Sequence, residues 1–193
     1  MKRLMISIAA AALASACAAG PTGEAVTVAQ SAMDQPAPTA MDFVRMAGAS
    51  DLYEIQSSQL VMQDGGDPDL RRFAEMMIEH HTMTTRTVMD AARAAGMTPP
   101  PPALDAPKAE MIRQLQSARG EARQALYVEQ QVMAHREALM LHTRYSRNGD
   151  TPQLKQAAAA AVPIVSRHYN EIVAMQRGMG GADHAGHEGG GSR

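Results

Sequence analysis

Tryptophan is absent, phenylalanine occurs twice and tyrosine four times, so aromatic residues make up only 3% of the 193-residue chain. Single strands are bound by stacking bases on such rings, and duplexes through clustered Lys and Arg. Neither resource is here: 18 basic residues face 20 acidic ones with no basic stripe, which argues against nucleic acid as a partner. Cysteine occurs once, as Cys17, so no disulfide closes within the chain and thiol chemistry has no active cysteine to use. Val, Ile, Thr and aromatic residues never gather into alternating runs, which removes the strand signal. No Ser/His/Asp set, phosphate loop or zinc-protease motif occurs, so an enzymatic role is left open.

What is plentiful favours helices. Sixteen Met, with many Ala, Leu, Gln, Glu and Arg, lose little on entering one. An all-α fold in one domain follows.

The N-terminus reads as an export signal: Lys2-Arg3, an apolar run from Leu4 to Leu13, then Ala14-Ser15-Ala16. The run is too short to span a bilayer as a helix. Without Lys2 and Arg3 the 18 basic residues become 16 against 20 acidic, a net charge of −4. Leu13-Ala14-Ser15-Ala16-Cys17 resembles the lipobox of bacterial lipoproteins, in which the cysteine is diacylated. It departs from that pattern in having Ala14 where a larger aliphatic residue is preferred. The expected address is therefore exported and periplasmic, with a membrane anchor through lipid on Cys17; cleavage near Ala16 or Ala19 to a soluble form is the alternative. Residues 18–40 have the Ala, Thr, Ser, Gly and Pro composition of a tether. Residues 178–193 form a Gly-rich tail carrying His184 and His187, a weak candidate for copper, nickel or zinc.

Between these ends, over residues 41–177, lie four long helical segments. The first is introduced by Thr39-x-x-Asp42 and closed by Gly65-Gly66. The second opens at Asp67-Pro68 and stops at Gly96. The third runs from about Glu121 to Asn148, and the fourth starts at Thr151-Pro152, contains Pro163 and is expected to stop before Gly178. Short turns make each pair an antiparallel hairpin. The longer stretch between the pairs holds Pro99 to Pro102, an extended rod, and a short helix from about Ala106 to Ala118. This predicts a four-helix bundle with a long crossover of the ferritin-like kind.

Histidines interrupt three apolar stripes at three-four spacing. The second helix has Leu70, Phe73, Met77, His81, Thr84, Val88, Ala91 and Ala95. The third has Ala125, Val128, Val132, His135, Leu139 and His142. The fourth has Leu154, Ala158, Ala161, Val165, His168, Ile172 and Met175. His81, His135 and His168 lie near the expected helix midpoints, so they should meet in one central layer, where the first helix offers Glu54. Three imidazoles and a carboxylate suit a transition ion such as zinc, iron or copper, and suit calcium or magnesium badly. Equally, neutral buried histidines hydrogen-bonded to Glu54 or backbone would form a structural layer that fixes register. Glu129 is a candidate support for His135, His142 a packed polar residue, and His80 a half-exposed neighbour of an ion-pair face holding Glu75, Glu79, Arg72 and Arg86. The methionines, Met76, Met77, Met83 and Met89 among them, read mainly as core filling. Glu-x-x-His, which di-iron sites use, precedes none of the three central histidines, so a ferroxidase is disfavoured.

Four stretches in order resemble the domain-of-unknown-function family 4142: Phe43-Val44 to Glu54-Ile55, Phe73 to Thr82, Tyr127-Val128-Glu129 to Leu139, and Pro163 to His168. The likeness covers about residues 40–177. It implies a ferritin-like bundle outside the cytoplasm, of a kind labelled predicted outer-membrane protein, and no agreed reaction. Where that family has an acid before its histidine, this chain has His80 before His81, with Glu79 the nearest carboxylate. Three functions remain: a metal-binding bundle that buffers, senses or serves in stress; an envelope interaction module whose histidines are structural; and a metal-dependent oxidase or hydrolase, which would need a cavity reaching the histidine layer.

Overall fold

The computed structural model describes residues 36–185, with side chains to residue 179. The expected export signal, Cys17 and His187 lie outside the described residues, as does the side chain of His184. Among the described residues the chain is all-helical: α1 (Ala40–Val61), α2 (Pro68–Ala94), α3 (Ala106–Ser117), α4 (Gly120–Asn148) and α5 (Pro152–Ala185), with a 3-10 turn at Met62–Asp64 after α1. None of these helices is long and apolar enough to cross a membrane.

The starts are chemically specified. Thr39 accepts a hydrogen bond from the Asp42 amide at 3.3 Å, Asp67 from the Asp69 amide at 2.8 Å, and Asp105 from the Lys108 amide at 2.8 Å. Each occupies one of the donors that a helix N-terminus leaves unpaired. Pro68 stands at the first position of α2, where its missing amide costs nothing. Gly65 and Gly66, with φ of 73° and 86°, take the left-handed turn after α1 that a residue with Cβ resists. At its far end α5 departs from the expectation: the helix continues through Gly178 to Ala185.

Two apolar clusters show how the helices run. One joins Phe43 of α1, Val88 and Ala92 of α2, Leu141 and Tyr145 of α4, and Leu154 of α5. The other joins Val61, Phe73, Met77, Leu115 of α3, Tyr127 and Ile172. The first therefore gathers the start of α1 and α5 with the end of α2 and α4, and the second gathers the opposite ends. Neighbouring helices are antiparallel: α1 packs on α2 and α4, and α5 on α2 and α4. Since α2 and α4 both run toward the first cluster, residues 95–119 must return the chain along the bundle. Pro102 rests beside Gly48 on α1, 3.5 Å from where a Cβ would stand, and α3 lies against α1 and α4.

One expected stripe is rotated. Ala125 is exposed, and the first turns of α4 bury Arg123, Tyr127, Val128, Gln130 and Gln131 instead. Arg123 donates to the Leu60 and Ala118 carbonyls at 2.8 and 3.0 Å and pairs with Asp64 at 3.3 Å, which ties the end of α1 to the start of α4. Its charge is thus compensated on several sides, as burial of a guanidinium requires.

Candidate metal centre

Between the two apolar clusters lies a polar layer at mid-height. His81 is the central residue of α2, His135 is one residue past the centre of α4, and His168 and Asp51 sit at the midpoints of α5 and α1. Level midpoints of antiparallel neighbours bring the four together. His81, His135 and His168 are 1%, 0% and 0% exposed. Their ring centroids are 5.4 to 5.6 Å apart. One nitrogen from each ring falls within 4.8 Å of the others, a spacing from which an ion could be held. The expected convergence of these three is what the structure has.

Each ring is held on one nitrogen and unpartnered on the other. His81 Nδ1 meets the Asp51 carboxylate at 2.8 Å. His135 Nδ1 donates to the Gln131 carbonyl at 2.9 Å. His168 Nε2 meets His80 Nδ1 at 2.8 Å, the two rings parallel within 6° and their centroids 5.0 Å apart, edge to edge. His81 Nε2, His135 Nε2 and His168 Nδ1 have no hydrogen-bond partner. A ring fixed through one nitrogen and unpartnered on the other is what metal-binding histidines have.

The carboxylates are placed differently from the expectation. Glu54 is fully buried, with Oε1 3.5 Å from His135 Nδ1, but it stands outside the set of three converging donors. Asp51, unforeseen in the sequence, is the closer acid: it holds His81 and also accepts from the Thr85 hydroxyl at 2.9 Å. Both Glu54 oxygens lack a hydrogen-bond partner. His135 takes its support from Gln131, not from Glu129, which is exposed. His142 is buried with its ring edge-on to Phe43 at 5.5 Å, packed as expected. Helical spacing would have found Asp51, which precedes Glu54 by three residues and so shares its face.

Burial dominates the titration of this layer. It pushes the Glu54 carboxyl up to about 7, against the pull of His81. It pushes His135 down to about 3, helped by His81, and holds His168 far below the usual imidazole range. His81 differs: burial opposes its charge, but the hydrogen bond and charge of Asp51, with Glu54, outweigh burial and raise it. Among the described residues, clefts of about 350 Å3 between α1 and the proline connector, about 610 Å3 beside the start of α2, and about 440 and 190 Å3 between α2 and α5 flank the bundle, and no histidine lines any of these four.

A family described as "Domain of unknown function (DUF4142)" matches residues 25–175. The chain belongs to that family. No curated protein and no solved structure matches it. The family description carries no reaction, so the site must be read from its own geometry.

His142 gives a pH test that does not involve the three converging rings directly. Its burial lowers it to about 4, so the folded protein disfavours the protonated form. The resulting stability is present above the ordinary imidazole value, about 6.5, and is lost as pH falls toward about 4. Glu54, being raised, works in the opposite sense between its ordinary value and about 7. In urea titrations of metal-free protein, His142→Gln should flatten the decline in stability between pH 6.5 and 4 by up to about 3 kcal/mol. The slope is the readout, not the level. An unchanged slope would show that His142 is charged without penalty.

Proposed function

We propose that this chain is an exported, ferritin-like helical bundle that binds one divalent transition ion, zinc, iron or copper, at His81, His135 and His168, and that it buffers or senses that ion. The observation that carries this reading is the set of three buried, unpartnered ring nitrogens in one layer, each ring fixed on its other nitrogen. A buried polar atom without a partner costs roughly 1–3 kcal/mol, and an ion in the layer would offset that cost at three atoms together. Asp51 and Glu54 add the charge argument. When ionised they balance a dication, and a carboxylate as deeply buried as Glu54 otherwise lacks a nearby compensating hydrogen bond. Tetrahedral nitrogens about 2.1 Å from one ion stand roughly 3.4 Å apart, so binding draws the rings inward by about an ångström. Glu54 is a carboxylate in reach of that rearrangement. The three rings are closed off from solvent, which supports binding of an ion over turnover of an organic substrate.

Titration of stripped, tag-free protein with zinc should give one bound ion per chain and a raised melting temperature. At a free ion concentration of 100 times Kd the gain is about 2.7 kcal/mol. Imidazole must lose its proton to ligate, and His81, raised against burial by Asp51 and Glu54, holds its proton longest. Affinity should therefore fall as pH drops through the His81 value, starting above the ordinary imidazole value of about 6.5. His135→Ala should abolish stoichiometric binding and cost more stability in the presence of zinc than in its absence. Equal loss with and without zinc, and no zinc-dependent shift in the wild type, would mean that the layer is only structural.

The address is part of the proposal and rests on the sequence of residues 1–17. A diacylated Cys17 supplies the two chains that stable anchoring needs. Cys17→Ser should therefore move the protein from the detergent phase to the aqueous phase. Equal partitioning of the two forms would remove the lipid from the picture.

A further inference from the structure

Of the four histidines in the layer, His80 alone reaches the surface. It is half-buried on α2, whereas His81, His135 and His168 are closed off from solvent. Residues adjacent in a helix point about 100° apart, so His80 cannot share the inward face of His81. It turns instead toward α5, where its ring lies edge to edge with that of His168, only 6° between the planes, and its Nδ1 lies 2.8 Å from His168 Nε2.

A neutral imidazole carries one N–H and one bare nitrogen, so this contact has two arrangements. If His80 Nδ1 donates, His168 Nε2 is the acceptor and the proton of His168 sits on Nδ1, where it has no partner in the buried layer. If His168 Nε2 donates, His80 Nδ1 accepts, the proton of His80 sits on its Nε2, and His168 Nδ1 is bare. Orphaned buried N–H groups are rarer than orphaned acceptors. The second arrangement also follows the rule that the other two rings obey. Their Nδ1 atoms are held by oxygen acceptors, Asp51 and the Gln131 carbonyl, and their Nε2 atoms are left without a partner. His168 is the same device with its nitrogens exchanged, and its acceptor is another imidazole.

We propose that His80 is a positioning residue: by accepting from His168 Nε2, edge to edge, it fixes the tautomer that leaves Nδ1 free to bind a divalent transition ion. The consequence for binding rests on the metal reading above; the assignment of the tautomer does not. Outer partners of ligating histidines typically govern affinity by 10- to 100-fold.

The test compares the wild type with His80→Ala and His80→Asn, whose Oδ1 can take the place of Nδ1 as acceptor. In metal-free protein, imidazole 15N shifts should report His168 as the Nε2–H form in the wild type and in His80→Asn, and as a mixture in His80→Ala. Circular dichroism checks that both variants remain helical. Zinc affinity should fall about 10- to 100-fold in His80→Ala and return to within a few-fold of wild type in His80→Asn. A wild-type His168 carrying its proton on Nδ1 would overturn the proposal, as would an Ala variant with unchanged tautomer and affinity. If the wild type bound no zinc, the metal reading would fail by itself and the nitrogen shifts would still decide the role of His80.

Discussion

Burying three imidazoles and two carboxylates at the centre of a helical bundle is the constraint on which the rest of the structure depends. Each such group loses water, and a buried polar atom that finds no replacement costs roughly 1–3 kcal/mol. The surrounding structure answers this atom by atom. Asp51 is placed on His81, a backbone carbonyl on His135 and a fourth imidazole on His168. Apolar clusters above and below exclude water from the layer, which makes each of these contacts stronger and each missing one more costly. The long return of residues 95–119 serves the same end. It sets α2 and α4 parallel and on opposite corners, so that all four long helices bring their midpoints to one height.

The elements were legible where local chemistry specifies them. Thr39 and Asp67 cap the helices they were expected to cap, and the stripe of α5 from Leu154 to Ile172 is buried as read. The three central histidines were legible because each replaces an apolar residue in a stripe near a helix midpoint. Asp51 was not. The inward face of α1 carries Ser50, Asp51, Glu54, Ser57 and Ser58, all buried, so a search for apolar periodicity sees no face there at all. Glu54 drew attention as a carboxylate close to an approximate midpoint, while the true midpoint falls at Asp51.

Tertiary contacts decided the remaining differences. Ala125 was read as core from its spacing, but the start of α4 turns toward the Leu60 carbonyl and Asp64, and Arg123 takes the buried position. His80 was read as a neighbour of solvated charges because helix position alone cannot say that α5 covers that direction. Because α5 continues past Gly178 to Ala185, His168 lies at the middle of the helix, closer to the midpoint than a helix ending before Gly178 would put it. Glycine costs a helix roughly 1 kcal/mol, a preference that the rest of a 34-residue helix can override.

Membership of a family without an assigned reaction leaves the chemistry to the residues. The most direct measurement is X-ray absorption at the metal edge of the wild-type protein loaded with one equivalent of zinc. Three histidine ligands predict nitrogen scatterers near 2.0–2.1 Å with the outer-shell multiple scattering of imidazole rings, a signature that should be lost in His135→Ala, whose layer no longer holds the ion. A first shell of oxygen alone, or imidazole scattering unchanged by that substitution, would place the ion elsewhere and contradict the assignment of the central layer.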